Sequence, residues 1–303
     1  LPLLHRAVNS CYAPGSTVKP FTGLAAVGAG RITPRTHLTC NGANPHTRTG
    51  KPHCWIWRSY RSTHGPQDLE DALKHSCNIY FVEAAHRVGG PGLTQWFGYF
   101  GFGQKPGTGL YEERRGELGN EAYLRRVHGR GFYPSDAWNM AIGQGIFSAS
   151  VLQVANAHAT IARQGVFLSP RLVQGAPQTR RELPLSAEAL RAVHEGMFKV
   201  VHESGGTAYR IFRNADLPVQ ICGKTGTAQV PPMRADLDGD GVKEIVRTGN
   251  HAWFAGFAPH IKPKIAFAVL CEYAGSGGSN AGPVAADILR VCTQMGYLPG
   301  GGQ

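Results

Sequence analysis

Residues 12–30 read YAPGSTVKPFTGLAAVGAG, a pattern that predicts a helix with a serine at its start. Proline is tolerated in a first helical turn and glycine commonly ends a helix, so we expect the helix to cover residues 16–29. Side chains three residues apart share a helix face, and the Lys19 amine should therefore reach the Ser16 hydroxyl. A lysine whose pKa is lowered by burial and by a second cation, for which Lys224 is the candidate, can take the proton of a serine nucleophile. The pair alone also fits a helix-capping serine beside a solvated lysine.

A second short motif is Ser76-Cys77-Asn78, in a segment whose apolar residues have helical spacing. If Ser76 and Asn78 face one cleft, Ser76 can relay a proton and the Asn78 amide can hold a substrate amide. The simpler alternative is a serine and an asparagine on a helix surface.

A third motif, KTGT at residues 224–227, falls on a predicted strand. The edge of such a strand can pair with an extended peptide while Lys224 and Thr225 bind a carboxylate. Gly226 allows another backbone to approach closely. The N–H groups of Thr227 and Ser16 are candidates for an oxyanion hole. A plain strand with a surface lysine is the alternative.

The remaining sequence predicts a helical part followed by a sheet. Residues 31–65 show little periodicity and are expected to form a long ordered loop. Apolar spacing or a capping serine predicts helices over residues 66–87, 150–163, 186–200 and 282–295. Runs rich in Val, Ile, Phe and Trp predict antiparallel strands over residues 219–230, 251–258 and 264–273. The expected fold class is α/β, an antiparallel sheet flanked by helices plus a helical subdomain.

The composition is that of a globular chain with a basic surface. Of 303 residues, 42% are hydrophobic, and 31 Lys and Arg against 20 Asp and Glu give a net charge of +11. That charge suits a polyanionic partner, but no nucleic-acid-binding motif is found, so no nucleic-acid partner is expected. Seven cysteines leave at least one outside any disulfide. The apolar runs fall well short of the ~20 residues that cross a bilayer.

An acidic segment resembles the start of a calcium loop. Asp236, Asp238 and Asp240 have the spacing of such a loop, but its twelfth position is Arg247 instead of an acidic residue. The alternatives are a calcium site and an acidic turn between two strands.

Five stretches together resemble class B penicillin-binding proteins of the elongation type known as penicillin-binding protein 2. They are YAPGSTVKP at residues 12–20, SCNIYF at 76–81, GQG at 143–145, KTGTA at 224–228 and HAWF at 251–254. The similarity runs from about Leu4 to Ile288. It implies the penicillin-binding and serine β-lactamase-like transpeptidase fold over one domain, residues 1–303.

The resemblance also implies a D,D-transpeptidase. Ser16 would attack the D-Ala-D-Ala of a peptidoglycan stem peptide, D-Ala would leave, and an amine of a second stem would resolve the acyl-enzyme. Catalytic roles would fall to Ser16, Lys19, Ser76 and Asn78, and substrate binding to residues 224–227. β-Lactams would acylate the same serine.

Members of this family begin the domain with a sheet-forming segment upstream of the serine helix, whereas only fifteen residues precede Ser16. We therefore expect a fragment that lacks this segment, the N-terminal pedestal and the membrane anchor. The resemblance implies a place on the periplasmic face of the inner membrane. It also implies a membrane glycosyltransferase of the shape, elongation, division and sporulation family as the partner of the full-length protein.

Two rival functions share part of this pattern with the transpeptidase. A β-lactamase or β-lactam sensor domain shares motifs and fold, but no glutamate stands in a motif that would activate water for hydrolysis. A non-catalytic cell-wall scaffold would be expected to lose motif residues, and here all are present.

The resemblance further implies a structural zinc site in the long loop. Members that carry metal here do so at positions matched by Cys40, Cys54, His64 and Cys77, and three sulfurs with an imidazole form a closed zinc set. The alternative is a disulfide between Cys40 and Cys54, with Cys77 packed as an apolar residue.

Overall fold

The computed structural model describes residues 4–217 and 219–300. Residues 1–3, Pro218 and residues 301–303, which the predicted domain includes, lie outside the described residues. The helices are α1 Arg6–Asn9, α2 Lys19–Gly28, α3 Trp55–Tyr60, α4 Leu69–Lys74, α5 Asn78–Val88, α6 Gly90–Tyr99, α7 Glu121–His128, α8 Pro134–Met140, α9 Val151–Ala162, α10 Ala187–His202, α11 Tyr209–Phe212 and α12 Gly282–Gln294. A 3₁₀ turn, Gly15–Val18, precedes α2, and a π turn, Gly277–Ala281, precedes α12.

The strands are β1 Leu38–Cys40, β2 Gly65–Gln67, β3 Glu117–Leu118, β4 Phe147–Ser148, β5 Val166–Leu168, β6 Arg180–Glu182, β7 Cys222–Ala228, β8 Met233–Ala235, β9 Glu244–Arg247, β10 His251–Ala258 and β11 Ile265–Cys271. The central sheet has the order β11-β10-β7, and both pairings are antiparallel. Its register places Trp253 opposite Gly226 and Phe254 opposite Thr225. Within the described residues, β7 lies at one edge of this sheet.

The sheet and the helical part each have a buried core. Helix α2 is buried over most of its length and packs against α5, α6 and α10. Within that core the Phe21 ring lies 4.9 Å from the Phe100 ring and 5.5 Å from the Phe102 ring. A second cluster joins the sheet to α12 through residues such as Phe254 and Leu289. This arrangement confirms the predicted α/β class.

Three of the predicted elements differ from the observed ones. The helix predicted over residues 16–29 starts as the 3₁₀ turn Gly15–Val18 and is α-helical only from Lys19. The segment 66–87 forms two helices, α4 and α5, because the chain turns at Ser76, whose φ is 53°. Apolar spacing continues across the break, since both helices pack on the same core. The loop 31–65 also contains more structure than expected, with β1 pairing β2 and helix α3 between them.

No helix in the described part of the chain combines the length and apolarity needed to cross a membrane.

Candidate active site

Ser16 lies in the 3₁₀ turn that leads into α2, and contacts with Gly143 and Trp253 hold this turn in place. Gly15, whose φ is 56°, donates its N–H to the Gly143 carbonyl at 2.9 Å. The Trp253 indole N–H donates to the Ala13 carbonyl at 3.0 Å, which ties the turn to β10. A Cβ at Gly143 would stand only 2.1 Å from the Gly15 oxygen, so this contact requires glycine. The nucleophile candidate is therefore fixed by its backbone.

The Lys19 amine is the centre of the hydrogen-bond network beside this turn. Its Nζ donates to the Ser76 carbonyl at 2.7 Å, to Ser76 Oγ at 3.1 Å and to Asn78 Oδ1 at 2.7 Å. The side chain has no exposed surface. Burial lowers the pKa of Lys19 to about 8, although the nearby Cys54 thiolate opposes this effect. Among the described residues no hydrogen bond joins Lys19 to Ser16 Oγ, so Lys19 is engaged by the second motif instead.

The second motif is presented by the turn between α4 and α5. With Ser76 in the left-handed region, the side chains of Ser76 and Asn78 both accept a hydrogen bond from the Lys19 amine. The relay role of Ser76 and the substrate contact of Asn78 stay predictions. Asn78 Nδ2 donates to the His53 carbonyl at 2.9 Å, and the Asn78 N–H faces Cys54 Sγ at 3.4 Å. The motif is thus fastened to the 31–65 loop on the side away from Lys19.

The third motif lies along β7, with its lysine below the surface. Lys224 has no exposed surface, and its Nζ donates to the Thr225 carbonyl at 3.3 Å. Burial and then the charge of Lys19 lower the pKa of Lys224 well below its usual range. The predicted proximity of the two lysines is therefore present, and the Lys224 amine is enclosed by protein. Its role in binding a carboxylate stays a prediction.

The two candidate oxyanion donors come from neighbouring backbones. The Thr227 backbone nitrogen lies 3.2 Å from the place where a Gly15 Cβ would stand, next to Ser16. A Cβ at Gly226 would meet Thr17 Cγ2 at 2.9 Å, so glycine permits the close approach that the motif predicted.

The sequence did not single out two groups that hold the third motif. Thr207 Oγ1 lies 2.8 Å from Thr225 Oγ1, and the Gly277 N–H donates to Thr227 Oγ1 at 3.3 Å. Gly277 also permits contact with β7, because a Cβ there would be 2.1 Å from the Gly226 oxygen. The glycine-rich stretches GGT at 205–207 and GSGGS at 275–279 are the sequence signal that could have marked both.

Cys40, Cys54, His64 and Cys77 come together next to the second motif. One ligand atom from each lies within 4.8 Å of all the others, and the three cysteines are buried. Each of the seven cysteines is a free thiol, so the alternative disulfide between Cys40 and Cys54 is not formed in this structure.

The electrostatics of this cluster favour a thiolate at Cys54, whereas burial raises the pKa of Cys77 well above its usual value. Hydrogen bonds from the Cys40 and Cys77 thiols lower the pKa of Cys54 far below its usual value. Burial disfavours a charged His64, but the interactions with Cys40 and Cys54 outweigh it and raise the pKa of His64 to about 9. His64 Nδ1 lies 3.4 Å from Cys54 Sγ, while its Nε2 is buried without a hydrogen-bond partner in the described ranges. A cation among these donors would satisfy them together.

The acidic segment is the turn of the β8–β9 hairpin. The three carboxylates of Asp236, Asp238 and Asp240 are exposed, yet they lie within 4.8 Å of one another. They accept hydrogen bonds from amides of their own loop, including Gly239 N–H to Asp236 Oδ1 at 2.7 Å. The turn between strands is confirmed, and the calcium site stays a prediction.

Comparison with known proteins gives consistent matches over nearly the whole chain. A family model described as the penicillin binding protein transpeptidase domain matches residues 2–290. The peptidoglycan D,D-transpeptidase MrdA of Haemophilus influenzae is 33% identical over 309 residues, which are 95% of this chain and 45% of that protein.

Two solved penicillin-binding protein structures are similar to this chain over nearly its whole length. PBP2 of Pseudomonas aeruginosa in complex with WCK 5153 superposes with a TM-score of 0.82 at 31% identity, covering 96% of this chain and 63% of that one. PBP2 of Helicobacter pylori in complex with MreC gives a TM-score of 0.82 at 30% identity, covering 98% and 52%. These neighbours confirm the predicted transpeptidase fold. The chain spans about half the length of the MrdA relative, 45%.

Proposed function

Because this chain belongs to the penicillin-binding protein transpeptidase family, we propose that it is the catalytic part of a class B enzyme that cross-links peptidoglycan during cell elongation. The observation that carries the proposal is the buried Lys19 amine, hydrogen-bonded to both Ser76 and Asn78 beside the turn that holds Ser16. A buried amine joined to a hydroxyl 57 positions away in sequence, beside a turn that carries a serine, supports the assignment of Ser16 as nucleophile, Lys19 as base and Ser76 as relay.

In the first half-reaction Ser16 Oγ attacks the carbonyl carbon of the penultimate D-Ala of a stem peptide. The neutral Lys19 amine takes the Ser16 proton, a role that its lowered pKa supports. The negative charge on the carbonyl oxygen is met by the N–H groups of Ser16 and Thr227. The proton passes through Ser76 to the departing D-Ala amine, and the ester on Ser16 remains.

In the second half-reaction an amine of a neighbouring stem attacks the ester. The same groups work in reverse, and Ser16 regains its proton as the new amide forms. Before acylation, the terminal carboxylate of the donor peptide is held by the hydroxyls of Thr225 and Thr227, and it departs with the leaving D-Ala. The Lys224 side chain is buried in the same strand, and its Nζ donates to the Thr225 carbonyl, which helps to fix the position of Thr225.

A pair of assays tests this function against the β-lactamase alternative. A stem pentapeptide ending in D-Ala-D-Ala, offered with an acceptor amine, should release D-Ala and form a new amide with the parent protein and not with Ser16→Ala. A chromogenic cephalosporin should leave a long-lived adduct. Rapid repeated turnover of the cephalosporin without amide formation would instead establish a β-lactamase.

We also propose that Cys40, Cys54, His64 and Cys77 hold a structural zinc ion. The four donors form a closed set, and the Asn78 N–H on Cys54 Sγ is the kind of outer contact that orients a ligand. When bound, zinc would tie the 31–65 loop to the turn that carries Ser76 and Asn78, and it would take no part in the acyl transfer.

Metal analysis of protein purified without added zinc tests the zinc site. We expect Cys77→Ala to contain about one equivalent of zinc per chain less than the parent protein, together with a lower melting temperature. Cys11→Ser, which changes a cysteine outside the cluster, is the matched control. A Cys77→Ala protein with unchanged metal content and melting temperature would contradict the site.

We propose peptidoglycan stem peptides and β-lactams as the ligands of this domain. For the full-length protein we propose a place on the periplasmic face of the inner membrane and a membrane glycosyltransferase as partner. The Helicobacter pylori relative was solved in complex with MreC, which supports a protein partner for the full-length form of this chain.

A further inference from the structure

A second group of metal-ligating side chains lies away from the active site, between α10 and the start of β7. It consists of His194 in α10, Cys222 at the first position of β7, and His260, two residues beyond the end of β10. One ligand atom from each lies within 4.8 Å of the other two. Three distant parts of the chain therefore converge on one point.

The separations within this group are close to those of a metal coordination sphere. Cys222 Sγ lies 3.3 Å from His260 Nδ1, and His194 Nε2 lies 3.1 Å from the same nitrogen. A tetrahedral zinc ion with ordinary bond lengths holds two nitrogens about 3.4 Å apart and a nitrogen and a sulfur about 3.6 Å apart. Each observed distance needs to open by only a few tenths of an ångström.

The surrounding residues fix the orientation of these three side chains. The Phe257 ring meets His194 edge-on with a centroid distance of 5.0 Å, and the Phe198 ring lies 4.4 Å from the His260 ring. Cys222 is fully buried, and its thiol faces the His194 carbonyl at 3.5 Å. Side chains held by packing in this way lose little entropy when they bind an ion.

An open groove reaches the group from solvent. The groove has a volume of about 780 Å³, and its walls include His194, His260, Glu195 and Lys262. Both histidines are only half-buried. The groove gives a metal ion a path to the group, and it leaves room for a water or a small anion as a fourth ligand.

We propose that His194, Cys222 and His260 bind a thiophilic divalent transition-metal ion, with zinc as the preferred ion and the fourth position open to the groove. One thiolate and two imidazoles suit zinc, and a three-ligand set differs from the closed four-ligand set near Ser76. Binding displaces the Cys222 thiol proton and any proton shared between the two imidazoles. The ion fastens α10 to β7 two residues before Lys224.

The alternative is a metal-free network in which the His194 Nε2–H is shared between His260 Nδ1 and the His260 carbonyl, 2.9 Å away. The two arrangements differ in whether a metal ion binds, so a direct measurement of metal binding distinguishes them.

The test uses the whole chain and cobalt(II) chloride, followed by absorption from thiolate-to-cobalt charge transfer. Cobalt is added to the protein as purified, to His260→Asn and to Cys222→Ser. We expect the parent to bind one more equivalent of cobalt than either variant, or each variant to bind cobalt at this site at least tenfold more weakly than the parent. Cys271→Ser, a cysteine on β11 outside the group, should bind as the parent does.

The comparison uses the difference in bound cobalt between the parent and each variant. An ion bound at the Cys40 cluster is common to all four proteins, so it does not contribute to that difference. His260→Asn changes a half-buried side chain, so its fold is expected to survive even if the buried Cys222→Ser change is damaging. Zinc should also raise the melting temperature of the parent more than that of His260→Asn. Equal cobalt stoichiometry and affinity in the parent and in folded His260→Asn would overturn the proposal.

Discussion

The contact between Gly143 and Gly15 gives the sharpest test of how the nucleophile is positioned. A Cβ added at Gly143 would stand 2.1 Å from the Gly15 oxygen and 2.6 Å from the Gly15 nitrogen. Ordinary contacts begin near 3.4 Å, so the turn carrying Ser16 must move by about 1 Å. Both atoms belong to backbone, and no side chain can swing away to relieve the clash.

A misplacement of about 1 Å at a reacting group costs about a hundredfold in rate. We therefore expect Gly143→Ala to lower the rate constant for acylation by a fluorescent penicillin about a hundredfold at limiting drug. The left-handed backbone adds a stability cost of about 1–2 kcal/mol for alanine.

Gly145→Ala is a matched control for that backbone cost. Gly145 has a φ of 71° against 70° for Gly143, but its added Cβ would meet only the Asn139 Cβ at 3.1 Å. We expect the two variants to lose similar stability and only Gly143→Ala to lose acylation strongly. Equal acylation rates in both variants would refute the claim that this contact positions Ser16.

Three other predictions concern the chemistry and the acidic turn. The neutral Lys19 amine accepts the Ser16 proton, and the pKa of Lys19 is about 8, so the acylation rate should rise from about pH 7 to about pH 9 and then level off. A rate that falls over that interval would argue for protonated Lys19 as the active form. Thr207→Val keeps the shape but removes the partner of the Thr225 hydroxyl, and should lower the acylation rate about tenfold while the melting temperature changes little; an unchanged rate would remove Thr207 from the site. Calorimetry with millimolar calcium should give a flat trace, because the three carboxylates already accept hydrogen bonds from amides of their own turn. In addition, Arg247 occupies the position where a calcium loop needs a bidentate acid. Heat of binding that disappears in Asp238→Asn would instead establish the calcium site.

Local signals in the sequence were enough to place most of the helices and strands. The strand His251–Ala258 has the bounds that its apolar run predicted. The helices α9 and α10 begin after Ser150 and Ser186, and both serines accept a hydrogen bond from the backbone three residues on, as capping predicts. These features depend on neighbours in sequence, which is why they could be recognised.

Features that depend on packing were missed. The break at Ser76 leaves no gap in the apolar spacing, because the helices on both sides face the same core. Helical spacing could not show that the Lys19 amine bonds the Ser76 carbonyl, because the two residues are 57 positions apart in sequence. The hydroxyls of Thr207 and Thr225 are in hydrogen-bond contact, but the two residues are 18 positions apart and no sequence motif links them.

The two clusters of metal-ligating residues show the same limit. The group around Cys77 could be expected only from family resemblance, since its spacing is not that of a zinc finger. In the second group, His194 lies 28 positions before Cys222 and His260 lies 38 positions after it, so only the folded chain brings the three residues together.

Locating the adduct that a fluorescent penicillin forms tests the central claim most directly. The protein would be labelled, digested and sequenced by mass spectrometry, with Ser16→Ala and Ser10→Ala treated in parallel. The mechanism predicts a penicilloyl group on Ser16, no label on Ser16→Ala, and normal labelling of Ser10→Ala. A penicilloyl group on any other residue, or undiminished labelling of Ser16→Ala, would contradict the assignment of Ser16 as the nucleophile.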